Sequence, residues 1–329
     1  MIGRRRVPLS DHADVHSWDG PVIELDRVSR WFGKTHAVNE VTFNVPRGGV
    51  FGYIGPNGAG KTTSMRILAT LEIPNSGDAR IDGLSSVNDP DLVRRRLGFM
   101  PDSFGTYRNT NCAEYLDFYA RSHGLIGRER TARMRWVMDF TGLRPLADKP
   151  IRGLSKGMRQ RLCLGRALIH DPSVLILDEP AAGLDPRARI ELRKIIRTLA
   201  ADGKTILISS HILTELAEMC DRIGIIEQGR LLATGTVDEI RGVNTTTRNV
   251  AVELLSASDE AMRLLRANPA VTDLRQAGLD LSFSLTGDRN DQAELLKSLM
   301  NAGISILQFR STDQSLEDVF LRVTQGRVQ

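Results

Sequence analysis

The sequence is poor in cysteine and has no long apolar run. Its three cysteines, Cys112, Cys163 and Cys220, are far apart and form no CxxC pair. This spacing argues against a disulfide framework and a zinc site, and it favours a reducing compartment. The longest aliphatic runs span four or five residues, as at 174–177, whereas a membrane helix needs about 20 apolar residues. We therefore predict that the chain does not cross a bilayer by itself.

The sequence also lacks a strong excess of either charge. Lys and Arg total 44 against 40 Asp and Glu, which leaves a formal net charge of +4. Dense basic runs occur only at 4–6 and 94–96, whereas a nucleic-acid-binding protein usually concentrates its basic residues in one patch or tail. Nucleic acid is therefore not an expected partner.

Composition and length place the chain among globular proteins. Hydrophobic residues make up 41% and charged residues 26%, which excludes collagen-like, mucin-like and fully disordered chains. A length of 329 residues predicts about two domains. The arginines near the N-terminus are followed by a polar stretch at 10–20, unlike those of a secretion signal. We therefore expect a flexible extension over residues 1–20 and a cytoplasmic location.

Hydrophobic periodicity predicts two kinds of sheet. Alternating apolar and polar residues at 22–25 and 41–45 predict a short antiparallel sheet. Apolar runs at 50–54, 174–177 and 205–209 predict buried strands, and a predicted helix precedes each of the last two. This alternation of helices and strands favours a parallel sheet covered on both faces.

Two further regions have patterns of their own. Residues 91–150 show helical spacing and few β-branched residues, so we expect an inserted helical subdomain there. After a polar linker at 241–247, residues 248–329 follow the order β-α-β-β-α-β of ferredoxin-like domains, and a last helix is predicted from Ser315. We thus expect an α/β domain at 21–240 and a small α+β accessory domain after the linker.

A glycine-rich segment between a predicted strand and a predicted helix carries the strongest functional signal. It fits the pattern G-x4-G-K-[ST] and consists of Gly55, Pro56, Asn57, Gly58, Ala59, Gly60, Lys61 and Thr62. Glycines let successive backbone N–H groups point at phosphate oxygens, and the helix N-terminus adds partial positive charge. We expect Lys61 to reach the β- and γ-phosphates and the Thr62 hydroxyl to ligate Mg²⁺.

Two adjacent carboxylates, Asp178 and Glu179, follow the buried strand predicted at 174–177. At the carboxyl end of the sheet, Asp178 is placed to hold Mg²⁺ directly or through water. Glu179 points elsewhere and could polarise an attacking water. Alone, the pair is equally well explained as an ordinary acidic strand end, but together with the phosphate loop it predicts a catalytic site.

In their order along the chain, these motifs resemble those of the ATP-binding subunits of ABC transporters, over about residues 22–235. The family's signature motif is matched by Leu154, Ser155, Lys156, Gly157 and Met158. Gly183-Leu184-Asp185 resembles the family's D-loop, and Ser209-Ser210-His211 resembles the segment that carries its switch histidine. The C-terminal region, which ends in Ser-Leu-Glu-Asp-Val-Phe-Leu at 315–321, resembles the accessory domain of ABC-2-type exporter ATPases.

The resemblance implies that the chain binds and hydrolyses ATP with Mg²⁺. Lys61, Glu179 and His211 are then the catalytic residues, with His211 holding the γ-phosphate and the attacking water in line. The phosphate loop, Thr63 and Asp102 bind ATP, and Phe32 stacks on the adenine unless it serves sheet packing instead. Signature residues contact the ATP that is bound by the opposite subunit of a head-to-tail dimer.

One residue departs from the family pattern at the candidate metal site. Asp102 stands where the family normally has a glutamine, in the Q-loop. An ionised carboxylate can ligate Mg²⁺ or its water, but it is shorter than glutamine and cannot donate a hydrogen bond. The candidate Mg²⁺ ligands are therefore Thr62, Asp178 and Asp102.

The fold expected from these features is an α/β P-loop NTPase of the ABC cassette type. It combines a mixed sheet core, an antiparallel β subdomain and an inserted helical subdomain with a small ferredoxin-like C-terminal domain. The expected function is that of an ATPase subunit that powers a separate integral-membrane permease from the cytoplasmic face of the membrane. It would work as a homodimer or as a heterodimer with a second ATP-binding subunit, and the resemblance favours export.

Two alternatives belong to other functional classes. One is a soluble ABC ATPase that acts on ribosomes or DNA. It is disfavoured because the chain has one cassette, and because the segment between Lys61 and Ser155 is compact and without coiled-coil heptads. The other is a regulatory module that only binds nucleotide, which the complete set of catalytic residue types disfavours.

Overall fold

The computed structural model describes residues 18–103, 105, 109–212, 216, 218–241, 247–312, 320 and 324. The chain divides into two compact units, which we call the N-terminal unit (up to Thr234) and the C-terminal unit (Gly235–Gln325). This division falls six residues before the boundary expected from the sequence. Most of the predicted N-terminal extension and of the predicted linker lies outside the described residues.

The N-terminal unit contains two sheets and a set of helices. Its strands are β1 (Ile23–Phe32), β2 (Thr35–Val45), β3 (Gly49–Ile54), β4 (Ser76–Ile81), β5 (Leu84–Ser85), β6 (Leu97–Met100), β7 (Val174–Leu177), β8 (Thr205–Ser210), β9 (Arg222–Glu227) and β10 (Arg230–Thr236). Its helices are α1 (Lys61–Leu68), α2 (Pro90–Arg96), α3 (Cys112–Ser122), α4 (Gly127–Phe140), α5 (Lys156–Leu168) and α6 (Pro186–Ala201). Short 3-10 helices occur at Arg144–Leu146 and Ile151–Gly153.

A six-stranded sheet in the order β10-β9-β3-β8-β7-β6 determines where the functional residues lie. Strand β3 pairs in parallel with β8 and β9, and β7 pairs in parallel with β6 and β8. This confirms the parallel sheet predicted from the apolar runs at 50–54, 174–177 and 205–209. Ile54 at the end of β3 is opposite Ser210 of β8, and Leu177 at the end of β7 is opposite Ile208. The segments that follow β3, β7 and β8 therefore leave the sheet at the same edge.

The second sheet of the N-terminal unit has the order β2-β1-β4-β5, and β1 is antiparallel to both β2 and β4. This confirms the antiparallel sheet predicted from the period-two alternation. Phe43 of β2 stacks on Phe51 of β3 with ring centroids 5.2 Å apart, and both rings are buried in one apolar cluster with Ile176 of β7. The two sheets therefore share a core, which holds the phosphate loop against a fixed support.

The helical subdomain predicted over 91–150 begins later than expected. Residues 97–100 form β6, which pairs with β7 from Leu97 opposite Val174 to Met100 opposite Leu177. A four-residue strand with no β-branched residue gives a weak signal in a sequence, and its partner lies more than seventy residues away. Helices α3 and α4 then form the inserted part, and Asn111 caps the N-terminus of α3 through a capping box with Glu114.

The C-terminal unit has the element order expected from its sequence. Its elements are α7 (Val237–Arg241), β11 (Thr247–Leu254), α8 (Asp259–Ala267), β12 (Val271–Ala277), β13 (Asp280–Thr286), α9 (Arg289–Asn301) and β14 (Ile306–Thr312). The strands form one antiparallel sheet in the order β12-β13-β11-β14, which is the ferredoxin-like arrangement. Alternate residues of β13, namely Leu281, Phe283 and Leu285, are buried in its core. The helix predicted from Ser315 falls largely outside the described residues.

No helix in the described part of the chain combines the length and the apolar character needed to span a membrane.

Candidate functional site

The glycine-rich loop joins β3 to α1 and has a backbone that only glycine adopts easily. Gly58 and Gly60 have φ values of 80° and 103°, in the left-handed region that side chains disfavour. A Cβ atom on Gly60 would lie 2.2 Å from the carbonyl oxygen of Ala37. No side chain caps the N-terminus of α1, so the N–H groups of its first turn are available to an anion.

Lys61, the first residue of α1, has its side chain buried beneath this loop. Its Nζ donates hydrogen bonds to the carbonyl oxygens of Gly55 at 2.7 Å and Pro56 at 3.1 Å, and it lies 3.5 Å from Oε1 of Glu179. Burial lowers the pKa of Lys61, while the negative charges of Glu179 and Asp178 act in the opposite direction. The ammonium group is thus held between the loop and the two predicted carboxylates.

Asp178 follows β7 and is buried, with 1% of its surface exposed. Its Oδ1 accepts a hydrogen bond from the Ser209 hydroxyl at 2.6 Å. Its Oδ2 is also buried, and within the described residues it has no hydrogen-bond partner. Burial raises the pKa of Asp178, the negative charges of Glu179 and Asp102 add to the rise, and the hydroxyls of Ser209 and Thr62 offset part of it.

This arrangement fits a divalent cation. Thr62, Asp178 and Asp102 affect one another electrostatically, and they supply the hydroxyl and carboxylate oxygens that Mg²⁺ prefers. A buried carboxylate oxygen without a hydrogen-bond partner costs free energy unless a cation or water satisfies it. Both Thr62 and Asp102 therefore act on Asp178, and Oδ2 of Asp178 is a buried oxygen that could bind the ion.

Glu179 lies between the two other predicted catalytic residues. Its Oε1 faces Lys61, and its Oε2 is 2.9 Å from Nδ1 of His211. Its backbone has φ 47°, an unfavourable value for a non-glycine residue that costs about 1–3 kcal/mol. The Glu179 amide donates to the Ser209 hydroxyl at 2.8 Å, which helps to hold this conformation. A carboxylate that is partly exposed and fixed at both oxygens is suited to accept a proton from water.

The signature residues lie in a separate cluster with the predicted D-loop. Ser155 caps the N-terminus of α5, with its hydroxyl accepting from the Met158 amide at 3.3 Å, and Asp185 caps α6 by accepting from the Ala188 amide at 2.8 Å. Leu154 is buried, whereas Ser155, Lys156 and Asp185 are exposed. Within the described residues, no hydrogen bond or ion pair joins 154–158 to the phosphate loop.

Phe32 lies at the end of β1 and is 49% exposed, so it is not part of the buried core. The Arg30 guanidinium lies over its ring, 4.6 Å from the centroid. Trp31 beside it is 39% exposed and contacts the ring of His36. The Arg30 side chain thus covers one face of the Phe32 ring. The stacking of Phe32 on adenine stays a prediction.

Sequence reasoning missed the part played by Ser209. The residue was noted only as a neighbour of His211, yet its hydroxyl connects Asp178 to Glu179. The available signal was a polar side chain at the end of an otherwise apolar strand, Thr-Ile-Leu-Ile-Ser-Ser.

A glycine loop before a helix, a buried lysine and two carboxylates at the carboxyl edge of a parallel sheet define a P-loop nucleotide-binding protein. Residues 38–182 match the family model described as "ABC transporter", and residues 235–324 match the model described as "ATP-binding protein DrrA1-3-like, C-terminal domain". These matches cover the phosphate loop and the C-terminal unit respectively.

Similar curated proteins are alike over nearly their whole length. The Nod factor export ATP-binding protein I of Ralstonia nicotianae is 32% identical, over 92% of this chain and 94% of that protein. The bacitracin transport ATP-binding protein BcrA of Bacillus licheniformis is 34% identical, over 93% of this chain and 98% of that protein. The daunorubicin/doxorubicin resistance ATP-binding protein DrrA of Streptomyces peucetius is 33% identical, over 92% of each chain. The chain therefore belongs to the ABC transporter family, as an ATP-hydrolysing, ATP-binding subunit.

Solved structures support the same fold. An ATP-binding subunit of an ABC transporter is 32% identical with a TM-score of 0.62, and it covers 67% of this chain and 92% of its own. An ATP-binding cassette solved as a dimer in a post-hydrolysis state with ADP and Pi has a TM-score of 0.60. It covers 65% of this chain and 98% of its own and is 24% identical, which supports the fold alone.

Proposed function

We propose that the residues following β3, β7 and β8 hydrolyse ATP, and that this reaction powers a separate membrane permease. The observation that carries the proposal is the position of Glu179 between Lys61 and His211, next to the buried Asp178. A base, a phosphate-binding cation and a candidate metal ligand are thereby joined in one site.

Each residue then has a separate task in the reaction. The backbone N–H groups of the loop and the Lys61 ammonium hold the β- and γ-phosphates. The Glu179 carboxylate accepts a proton from the attacking water, whose oxygen bonds to the γ-phosphorus as the bond to the β–γ bridging oxygen breaks. His211, hydrogen-bonded to Glu179, orients the water and the γ-phosphate.

Thr62, Asp178 and Asp102 would hold Mg²⁺, the first through its hydroxyl and the others through carboxylate oxygens. When bound, Mg²⁺ neutralises charge on the β- and γ-phosphate oxygens. Because the negative charge of Asp102 raises the pKa of Asp178, a bound cation would offset the repulsion between the two carboxylates.

The signature cluster is proposed to act on the ATP of a second subunit. The N-termini of α5 and α6 lie side by side in this cluster, since a Cβ on Gly157 would lie 3.6 Å from Leu184 and 3.7 Å from Ala188. Helix N-termini favour anions. The residues at 154–158 have no described hydrogen bond to the phosphate loop of their own chain, which supports a head-to-tail dimer of identical or related subunits.

The partner implied by the relatives is an integral-membrane permease. Their names include export of Nod factor and transport of bacitracin, and they match this chain in both units. We therefore propose an ABC-2-type exporter in which this chain lies at the cytoplasmic face of the membrane.

The first test is Glu179→Gln in the full chain. We expect ATP hydrolysis to fall at least a hundredfold, on the order expected for loss of a general base. ATP binding should persist, and an ATP-bound dimer should be isolated by size-exclusion chromatography with light scattering. The matched control is Glu218→Gln, which removes a carboxylate that is 56% exposed in the same unit and should leave turnover unchanged. Unchanged turnover in Glu179→Gln would remove Glu179 as the base.

The partner is tested by purification of the tagged chain from detergent-solubilised membranes of its own organism. A multi-spanning protein recovered in stoichiometric amount supports the transporter. Recovery of ribosomes or DNA without such a protein would contradict it.

A further inference from the structure

Ser209 occupies a completely buried position next to the two carboxylate residues. It follows Ile208, which is opposite Leu177, so it lies on β8 at the level where β7 gives way to Asp178. None of its surface is exposed. Its hydroxyl lies 2.6 Å from Oδ1 of Asp178 and 2.8 Å from the amide nitrogen of Glu179.

The direction of these two hydrogen bonds is fixed by chemistry. The Glu179 amide can only donate, so the Ser209 oxygen accepts from it. The serine proton is then directed to Oδ1 of Asp178, which must accept. One oxygen of the carboxylate is thereby occupied, while Oδ2 has no hydrogen-bond partner within the described residues. The hydroxyl thus fills one acceptor position on Oδ1 and leaves Oδ2 as the oxygen without a hydrogen bond.

We propose that Ser209 is a positioning residue of the ATPase. Its hydroxyl holds the Asp178 carboxylate and the Glu179 main chain in fixed positions relative to each other. The inference rests on the proposed function of the site. Ser209 acts on Mg²⁺ binding through Asp178. Through the left-handed backbone of Glu179 it acts on the orientation of the Glu179 carboxylate, the proposed base.

The neighbouring serine shows that this contact is specific to one side chain. Ser210 is also buried, but its hydroxyl accepts from the Ile212 amide at 2.9 Å and so serves the turn after β8. His211 then returns to the site and contacts Glu179. Two residues at the end of β8 or directly after it therefore contact the carboxylate residues. Ser209 does so from the buried side and His211 from the exposed side.

The test compares Ser209→Ala with Ser86→Ala in the full chain. Ser86 is a matched control because it is a buried serine of the same unit whose hydroxyl donates to the Leu68 carbonyl oxygen at 3.1 Å. ATP affinity is measured by calorimetry with Mg²⁺ and again with EDTA, without turnover. The ratio of these two affinities reports how well the protein binds Mg²⁺ with ATP.

We expect Ser209→Ala to reduce this ratio about tenfold and kcat about 10- to 100-fold, as for other residues that orient a metal ligand. Affinity in EDTA should stay within twofold of the wild-type value, and Ser86→Ala should leave the ratio and kcat within twofold. A ratio in Ser209→Ala that equals that of Ser86→Ala would overturn the proposal, whatever happens to kcat. Should the alanine variant not fold, Ser209→Cys, which hydrogen-bonds weakly, is judged by the same ratio.

The outcome is separable from the test of Glu179. A reduced ratio in Ser209→Ala together with full turnover in Glu179→Gln would reject Glu179 as the base and would retain the role of Ser209 toward Asp178. A normal ratio in Ser209→Ala together with an inactive Glu179→Gln would retain Glu179 as the base and would reject the role of Ser209 toward Asp178.

Discussion

The two units of this protein are built in different ways. Buried polar or charged side chains of the N-terminal unit include Lys61, Asp82, Gln160, Asp178 and Glu227, whereas Thr324 is the only such residue described in the C-terminal unit. Buried charges destabilise a fold unless they are paired. Asp82 is paired with Arg47 at 2.9 Å, whereas the buried Lys61 and Asp178 belong to the candidate functional site. The fold of the C-terminal unit instead depends on strands with alternating buried and exposed residues and on helix caps. One such cap is the capping box of Asp288 and Asp291 on α9.

The aromatic residues allow each unit to be observed separately. All three tryptophans and all four tyrosines precede residue 140, so Trp fluorescence reports on the N-terminal unit alone. The C-terminal unit can be followed by hydrogen exchange at the amides of β11 and β13.

The largest effect on ATP binding is expected for Gly60→Ala. The new Cβ would lie 2.2 Å from the Ala37 carbonyl oxygen, and φ at this position is 103°. Relief requires the phosphate loop to move, so ATP binding measured by calorimetry should weaken at least about a hundredfold. Gly203→Ala is the control, because φ is 89° there but nothing lies within 4 Å. Equal ATP affinity in the two variants would mean that the loop tolerates a side chain.

The next effect concerns the C-terminal unit. Phe283 is 3% exposed in its core, and Phe283→Ala should reduce its free energy of unfolding by about 3–5 kcal/mol. Hydrogen exchange of β11 and β13 should accelerate, while the Trp unfolding midpoint and ATP affinity stay unchanged. Met300→Ala, at a position that is 61% exposed, should have no comparable effect. A parallel loss of ATP affinity in Phe283→Ala would show that the two units are not independent.

The smallest expected effect is a pH dependence of the stability of the N-terminal unit. His170 stacks on His123 with ring centroids 3.8 Å apart, and its Nε2 hydrogen-bonds to the Leu97 carbonyl oxygen at 3.1 Å. Burial lowers the pKa of His170 to about 3, and the positive charges of His123, Arg133 and Lys204 add to this. In the unfolded chain its pKa is about 6.5. Below that pH the unfolded state binds more protons, so the folded state loses stability as pH falls.

From pH 6.5 to 5 this histidine should cost the folded state about 2 kcal/mol. His170→Gln keeps a donor for the Leu97 carbonyl and should lose less stability over that interval, as measured by urea denaturation followed by Trp fluorescence. The C-terminal unit contains no histidine, so its hydrogen exchange should not show this acid dependence. Identical pH profiles for wild type and variant would exclude His170 as the source.

Local patterns were sufficient where each residue depends on its near neighbours in the chain. The alternation of Leu281, Phe283 and Leu285 predicted β13, and the spacing of Gly55, Gly60 and Lys61 predicted a loop between a strand and a helix. They failed at Leu97–Met100, where a four-residue strand is defined by its pairing with β7.

The sequence by itself determined the family, the phosphate loop and the element order of the C-terminal unit, because these depend on residue types at short, fixed spacings. Only the tertiary structure decided how Lys61, Asp178, Glu179, Ser209 and His211 meet, since they come from three strands far apart in the chain. It also decided that Glu179 takes a left-handed backbone and that one oxygen of Asp178 has no hydrogen-bond partner among the described residues. Both residues contact the Ser209 hydroxyl on the neighbouring strand β8, and no local pattern encodes such contacts.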